Sequence, residues 1–452
     1  MKGEEGEGGG RGVRPSEMYG PQHQFPRDPF PTTKPSERDI LDAVRNGTFY
    51  GFVECDIRVP DHLRAGMADF PPIFKKVEVD RTHVGPLMKG YCEEWGFLKR
   101  PSNLLISSFT GVKQLVFTPL LKYYLSKNLE VTKIYSCIQF APKVVFGKLL
   151  DTVCNLRRAG DLNPDHAVRA QTAKDLGNSS VGKLQVDQTK WNKNTVTDGV
   201  GALKLIQNIH FKSVESLDTD LFLIQQSQKT IRYDAPLYVA HSIYQLAKLN
   251  ILRFVYDCLL KYVPRDMLQI AYMDTDSIYG AYGADSLEEC VPMDLKRAFY
   301  ADYHNFFPAE HCPKHWEQFV RFKLRTLAAT PPPADCAACL KIKAYEKRTP
   351  GLYKLEFSGL EFVGLNSKSY YVRGDGDKKK YSAKGCQKRS SLDLDNYKRV
   401  LETGQSYTVE NMGFRSHRGT VFTYKQTKLG LTPFYVKRKV LEDGVTTQPL
   451  DI

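Results

Sequence analysis

The 452-residue chain has no uninterrupted apolar run near the roughly 18 residues that a membrane-spanning helix needs. A helical membrane protein is therefore not expected, and no membrane partner. From Met1 to Arg14 the chain is mostly Gly and Glu with no apolar stretch, so no secretory signal is expected. The ten Cys stand mostly alone in apolar sequence, as Cys137 does in IYSCIQF and Cys258 in VYDCLLKY. That spacing lacks the density of a disulfide scaffold and points to a reduced, intracellular setting. No segment repeats. Trp is scarce, at three, but Tyr at 25 and Phe at 24 bring the hydrophobic share to 42%. That is enough to bury a large core, so the chain is not disordered throughout. Its length predicts two or three domains.

What is present in excess is positive charge. Lys and Arg number 64 against 51 Asp and Glu, a net +13. The excess is uneven. From Lys341 to Ile452 there are 22 basic and 12 acidic residues, a net +10, so the first 340 residues are nearly neutral. A neutral body with a basic C-terminal quarter points to a polyanion held mainly by that quarter. An ordinary solvated basic surface is the plainer reading.

Residues 1–38 read as a tail of Pro, Gly and charge. YGFVECDIRVP alternates as a strand that ends at a Pro. KQLVFTPLLKYYLSKN predicts strand, turn and helix. IYSCIQFAPKVVFGKLLDTVCNLRR predicts a strand and then an amphipathic helix, with Val145, Phe146, Leu149, Leu150, Val153 and Leu156 on one face. A helix is expected around AVRAQTAKDLGNSS, and a polar hairpin excursion over 184–234. A long apolar helix begins at Pro236. After it, LQIAYMDTDSIYGAYG reads as a hairpin with a polar centre. The segment 281–345 is less regular, and short strands with basic turns follow Gly351.

The sharpest chemical feature is that polar centre: Tyr272, Met273, Asp274, Thr275, Asp276, Ser277. Two carboxylates one residue apart at a hairpin can reach one cation. Mg²⁺ suits them, because it takes one or two carboxylates and shares its other positions with water and phosphate. A turn in which Asp and Ser satisfy the backbone is the plainer reading of a bare D-x-D. The full hexapeptide Y-x-D-T-D-S resembles motif C of family B DNA polymerases. Upstream, Lys174-Asp175-Leu176-Gly177-Asn178-Ser179-Ser180-Val181-Gly182 resembles motif B of that family, K-x3-N-S-x-Y-G. Alone, that string reads as a helix with Gly182 as its C-cap. Downstream, Lys368-Ser369-Tyr370 resembles the K-x-Y motif. Lys384-Gly385, among Lys378, Lys379, Lys380, Tyr381, Lys388 and Arg389, looks like the thumb that follows.

From about Phe49 onward the chain is similar to protein-primed family B polymerases, of the type found in self-synthesising DNA transposons and related animal viruses. GFVECDIRVPDHL, FTPLLKYYL, NLRRAGD, EKRTPGLYKLEF and FYVKRKVLEDGVTTQPLDI carry that similarity. The resemblance implies an α+β right-hand fold of palm, fingers and thumb. It implies a tail over 1–38, palm over 39–150, fingers with motif B over 151–183 and a hairpin insertion over 184–234. Palm with motif C follows over 235–345, then the K-x-Y strand and thumb over 346–452. It implies DNA-directed DNA polymerisation, with Asp274 and Asp276 as catalytic Mg²⁺ ligands and Asp276 the more direct one. Lys174, Asn178, Ser179 and Gly182 would hold the dNTP. Tyr272, Thr275, Ser277, Lys368, Tyr370 and Lys384 would face the DNA primer-template. A terminal protein primer and a nuclear or viral replication site are implied as well.

Three departures stand against this resemblance. Motif A, D-x-x-S-L-Y-P, which supplies the other carboxylate of a two-metal site, has no match; the nearest string is Pro15–Pro21, which lacks the Asp. The palm is therefore expected to be incomplete, with Asp56 in VECDIRVP a weak substitute. The exonuclease domain of the family has no match either. Val181 stands where the family has Tyr, and it offers neither a ring to stack on a base nor a hydroxyl. The alternative expectation is thus a polymerase relic that binds DNA without chemistry. A reverse transcriptase would carry adjacent acids, unlike Asp274-Thr275-Asp276. His311, Cys312, His315, Cys336 and Cys339 have spacings that suit structural zinc; unligated thiols at a domain edge are the preferred reading.

Overall fold

The computed structural model describes residues 36–231, 236–326, 329–387, 392–417, 420–450 and 452. Most of the expected tail, the string Pro15–Pro21, and Lys388 with Arg389 lie outside them. The architecture is α+β: helices between small sheets whose paired strands are all antiparallel.

Ser36 opens α1 (Glu37–Asn46) with a capping box. Its hydroxyl accepts the Asp39 N–H, and the Asp39 carboxylate accepts the Ser36 N–H. Gly47 closes the helix at φ 77°, a left-handed position that glycine takes without a Cβ clash. In β1 (Gly51–Arg58) buried Val53, Cys55 and Ile57 alternate with less buried Glu54 and Asp56. Next come α2 (Asp61–Arg64), β2 (Ile73–Val79), α3 (Pro86–Glu94), β3 (Ser102–Ser108) and β4 (Thr110–Phe117). The chain passes from β4 straight into α4 (Thr118–Ser126), without the expected turn. Pro119 lies in the first turn of α4, where its missing N–H costs nothing. With β5 (Glu130–Gln139), the order β4-β1-β5 makes β1 a central strand.

The helices α5 (Gly147–Leu162) and α6 (Ala167–Lys183) follow. The predicted face of α5 is only partly realised: Val145 and Phe146 precede the helix, Val153 is buried, and Leu156 is exposed. The expected hairpin over 184–234 is a larger structure. It comprises β6 (Asn192–Thr197), α7 (Gly199–Ile206), β7 (Phe211–Asp218) and β8 (Leu221–Ser227), with sheet order β6-β8-β7.

The long apolar helix is α8 (Leu237–Arg253). It continues through a π-helical turn, Phe254–Leu259, into α9 (Leu260–Tyr262). Then come β9 (Leu268–Asp274), β10 (Ser277–Tyr282), α10 (Leu287–Cys290), α11 (Met293–Asp302), α12 (Pro313–Lys323) and α13 (Ala337–Glu346). The rest is β11 (Glu361–Asn366), β12 (Ser369–Arg373), β13 (Lys379–Ala383), α14 (Leu394–Thr403), β14 (Tyr407–His417), β15 (Thr420–Leu431), β16 (Lys439–Val440) and β17 (Thr447–Gln448). Among the described residues no helix is long and apolar enough to cross a membrane.

The chain forms two compact units. Among the described residues, those within 1–178, 238–358 and 434–452 make one unit, and those within 179–237 and 359–433 the other. The range 346–452 expected as one strand-and-thumb segment is thus divided between them. In the first unit a core gathers Phe52, Val53, Phe117, Leu121, Leu252 and Val255 from β1, β4, α4 and the α8 region. Burying each such side chain contributes about 1.5–3 kcal/mol. Ile270, Met273 and Ile278 of β9 and β10 pack on this core and so seat the hairpin. A second core gathers Phe254, Tyr262, Phe299 and Tyr300. In the second unit Tyr397 and Val400 of α14 bury against Val363, Leu365 and Tyr371 of β11 and β12.

Candidate functional site

The acidic turn joins β9 to β10. Asp274 pairs with Ser277, Met273 with Ile278, and Tyr272 with Tyr279, whose rings meet edge to face at 5.3 Å. Only Thr275 and Asp276 lie between the strands. The Asp276 N–H donates to the Asp274 carbonyl at 2.6 Å, and Thr275 sits at φ 55°. An i to i+2 bond around a residue of positive φ is the rare, strained form of tight turn. A β-branched residue there stores about 1–3 kcal/mol, and such strain gathers at functional sites. The Thr275 hydroxyl donates to Asp274 Oδ1 at 3.3 Å, and the Ser277 hydroxyl to the Asp274 carbonyl at 3.2 Å. Asp274 is half-buried, while Thr275 and Asp276 are exposed at the tip.

The charge at this turn acts on a residue that sequence reasoning left out. Burial, and after it the Asp276 carboxylate, push the Tyr353 phenol up from its ordinary range. The Tyr353 ring stacks on Phe254 at 3.9 Å in the π-helical turn, and Asn250 donates to its hydroxyl at 3.2 Å. Tyr353 lies in EKRTPGLYKLEF, but nothing in the local pattern pairs it with an acid 77 residues earlier.

Asp56 is committed elsewhere. One carboxylate oxygen accepts the Lys113 N–H at 2.7 Å, and the other accepts the Tyr135 hydroxyl at 2.9 Å. The second bond raises the Tyr135 phenol. Lys113 itself has φ 48° inside β4, so Asp56 ties down a left-handed residue where the β1–β4 register shifts. Among the described residues no third His, Cys, Asp or Glu gathers with Asp274 and Asp276 into a metal-ligating group. There too, β9 and β10 pair with each other and with no further strand.

Lys174 and Asn178 are exposed on α6. Gly182 is not a C-cap, since it lies inside α6. Among the described residues nothing stands within 4 Å of where a Cβ would project from it. The division between units falls inside α6, so Ser179 and Gly182 belong to the second unit, and Lys174 and Asn178 to the first.

In the second unit Lys368 turns β11 into β12 at φ 62°. Its carbonyl accepts the Ser382 hydroxyl at 3.1 Å. Ser369 pairs with Ala383 across β12 and β13, so Lys368 and Lys384 share one end of the sheet. Both are exposed. Tyr370 stacks on Phe362 with centroids 6.2 Å apart. These residues are distant in sequence, and only the strand register makes them neighbours.

The Cys and His residues expected to be mostly unligated do converge. Cys312, His315, Cys336 and Cys339 bring their ligand atoms within 4.8 Å of one another and could hold a metal ion. His311 is not among them; its ring packs on Phe319 at 4.8 Å. The Cys336 thiol is lowered, first by the backbone amide of Cys339 at the start of α13. The ten cysteines all carry free thiols.

No protein-family model, no curated protein and no solved structure matches the chain.

Proposed function

We propose that this chain is the polymerase portion of a protein-primed family B DNA polymerase, with palm, fingers and thumb. Its reaction would be DNA-directed transfer of nucleotides from dNTPs to a primer on a DNA template. The observation that carries this reading is the strained turn at Thr275, which presents Asp274 and Asp276 at the tip of a hairpin seated on the core. Two carboxylates one residue apart suit one Mg²⁺, a hard ion content with one or two such ligands beside phosphate oxygens. Asp274 and Asp276 would hold it. When bound, Mg²⁺ neutralises charge on the triphosphate.

The chain's own residues do the rest of the work in this reading. The Thr275 hydroxyl orients Asp274. Asn250 and Phe254 fix the Tyr353 hydroxyl, on which the Asp276 charge acts. Lys174 on α6 would meet the triphosphate as a point cation, with Asn178, Ser179 and Gly182 beside the incoming nucleotide. In the second unit Lys368 and Lys384, at one sheet end, would grip the phosphate backbone, with Tyr370 beside them; in the first, Tyr272 would face the primer. A terminal protein as primer, and a nuclear or viral replication site, belong to the same proposal.

A second reading is a DNA-binding relic without chemistry. It is favoured by one observation: no third acid groups with Asp274 and Asp276 among the described residues. Primer extension with Mg²⁺ separates the two. Incorporation by the wild type that Asp276→Ala abolishes supports the polymerase. Equal and negligible extension by both, together with salt-dependent DNA binding, supports the relic. Absence of DNA binding at low salt rejects both.

A further inference from the structure

We infer that Cys312, His315, Cys336 and Cys339 form a closed structural zinc site that fastens α12 to α13. The donor set is three thiols and one imidazole. Soft sulfur with imidazole selects zinc over the hard ions that carboxylates bind. A tetrahedral site with Zn–S near 2.3 Å and Zn–N near 2.0 Å places its ligand atoms roughly 3.5–3.8 Å apart. His315 Nδ1 and Cys339 Sγ already stand 3.3 Å apart, and all four ligand atoms lie within 4.8 Å. Small rotations of the side chains close the remainder.

The backbone explains the convergence. Cys312 is the N-cap of α12, and His315 lies three residues on. Cys336 is the N-cap of α13, and Cys339 lies three residues on. In each pair the first turn of a helix sets two donors side by side. The two helix N-termini meet, and their positive ends favour thiolates. The Cys312 N–H points at Cys339 Sγ at 3.3 Å, the kind of amide contact that steadies a metal-bound sulfur. Four protein ligands leave no open position, so the site is structural and not catalytic.

The far end of α13 shows what the ion would stabilise. The Arg158 guanidinium lies 3.7 Å from the centre of the Tyr345 ring and donates to the Tyr345 carbonyl at 3.0 Å. Arg348 grips Asp161. Arg158 and Asp161 are on α5, the helix before the one that carries Lys174. The ion thus fixes one end of a brace whose other end holds α5. This inference does not depend on the polymerase reading.

The test is the metal content of the full chain, purified after growth with added zinc. About one zinc per chain is expected. In Cys336→Ser/Cys339→Ser it should fall below about a tenth of an equivalent, and in His311→Ala it should be unchanged. Exchange with Co²⁺ should give tetrahedral visible bands and a thiolate charge-transfer band in the near ultraviolet. Hydrogen exchange in 337–348 should quicken when zinc is chelated. Zinc far below one equivalent in the wild type, with no charge-transfer band on adding Co²⁺, overturns the proposal. So does full zinc in the double Ser variant, or loss of zinc in a folded His311→Ala. The wild-type metal content and Co²⁺ spectrum decide the question even if the double variant does not fold.

Discussion

The backbone N–H of Asp276 meets the carbonyl of Asp274 at 2.6 Å, across a Thr275 held at φ 55°. This bond turns two carboxylates in sequence into two carboxylates at one tip. Its cost is a β-branched residue in left-handed backbone. Thr275→Gly should therefore raise stability by about 1 kcal/mol, since glycine takes that conformation freely. Urea unfolding measures it. A fall in stability would mean that the turn is not strained.

Asp56 inside β1 and Asp276 at the hairpin tip are both acids of the first unit, and their contacts predict opposite behaviour. Asp56→Asn should cost about 1 kcal/mol by weakening its bonds to Lys113 and Tyr135. It should leave Mg²⁺ dependence as it is. Asp276→Asn should leave the unfolding midpoint nearly unchanged and, on the proposed reading, remove Mg²⁺-dependent incorporation. Paired unfolding and primer-extension measurements check this. Loss of Mg²⁺ dependence in a folded Asp56→Asn would restore Asp56 as a ligand.

The Asp161–Arg348 clasp predicts a pH dependence. Arg348 donates to both Asp161 oxygens, at 2.6 and 2.5 Å, and this bonding holds the carboxyl below its ordinary range. A depressed carboxyl stabilises the fold above its unfolded pKa, near 4. That contribution is lost as pH falls through the lower folded value. The expected size is about 1 kcal/mol after solvent screening. Asp161→Asn should lose this much at neutral pH and respond less to acid. Unfolding of both proteins at pH 7 and pH 3 gives the comparison; identical acid responses would remove the clasp from the account.

Lys368 and Lys384 share one sheet end, so on the proposed reading they contact neighbouring phosphates. Replacing both with Ala should weaken DNA binding and flatten the plot of log affinity against log salt by roughly 1.4 to 1.8, at 0.7 to 0.9 per contact. An unchanged slope, by fluorescence anisotropy across a salt series, would place the DNA elsewhere.

What was legible in the sequence was local. Alternation marked β1. The Pro before α8 needs only neighbours in the chain. The acidic hairpin was legible because Thr275 and Asp276 are too few to do anything but turn. The expected α+β class came with the resemblance carried by the motif strings, not from these pieces. The polar, strand-like residues 184–234 predict a hairpin, because such a pattern does not reveal how many strands pair, nor that α7 sits among them.

The tertiary structure decided what distant residues do to one another. Asp56 looked like a spare acid until Lys113 and Tyr135, brought beside it by the β4-β1-β5 sheet, used both its oxygens. Tyr353 acquired its relation to Asp276 only through the π-helical turn it stacks upon. The spacings at Cys312 and Cys336 each offered half a metal site. Whether the halves meet depends on where two helices begin in space: rings around Tyr300, Trp316 and Phe319 seat α12, and Arg158 on Tyr345 and Lys343 on Glu310 hold α13. Periodicity along the chain does not encode that distance; packing between elements fixes it.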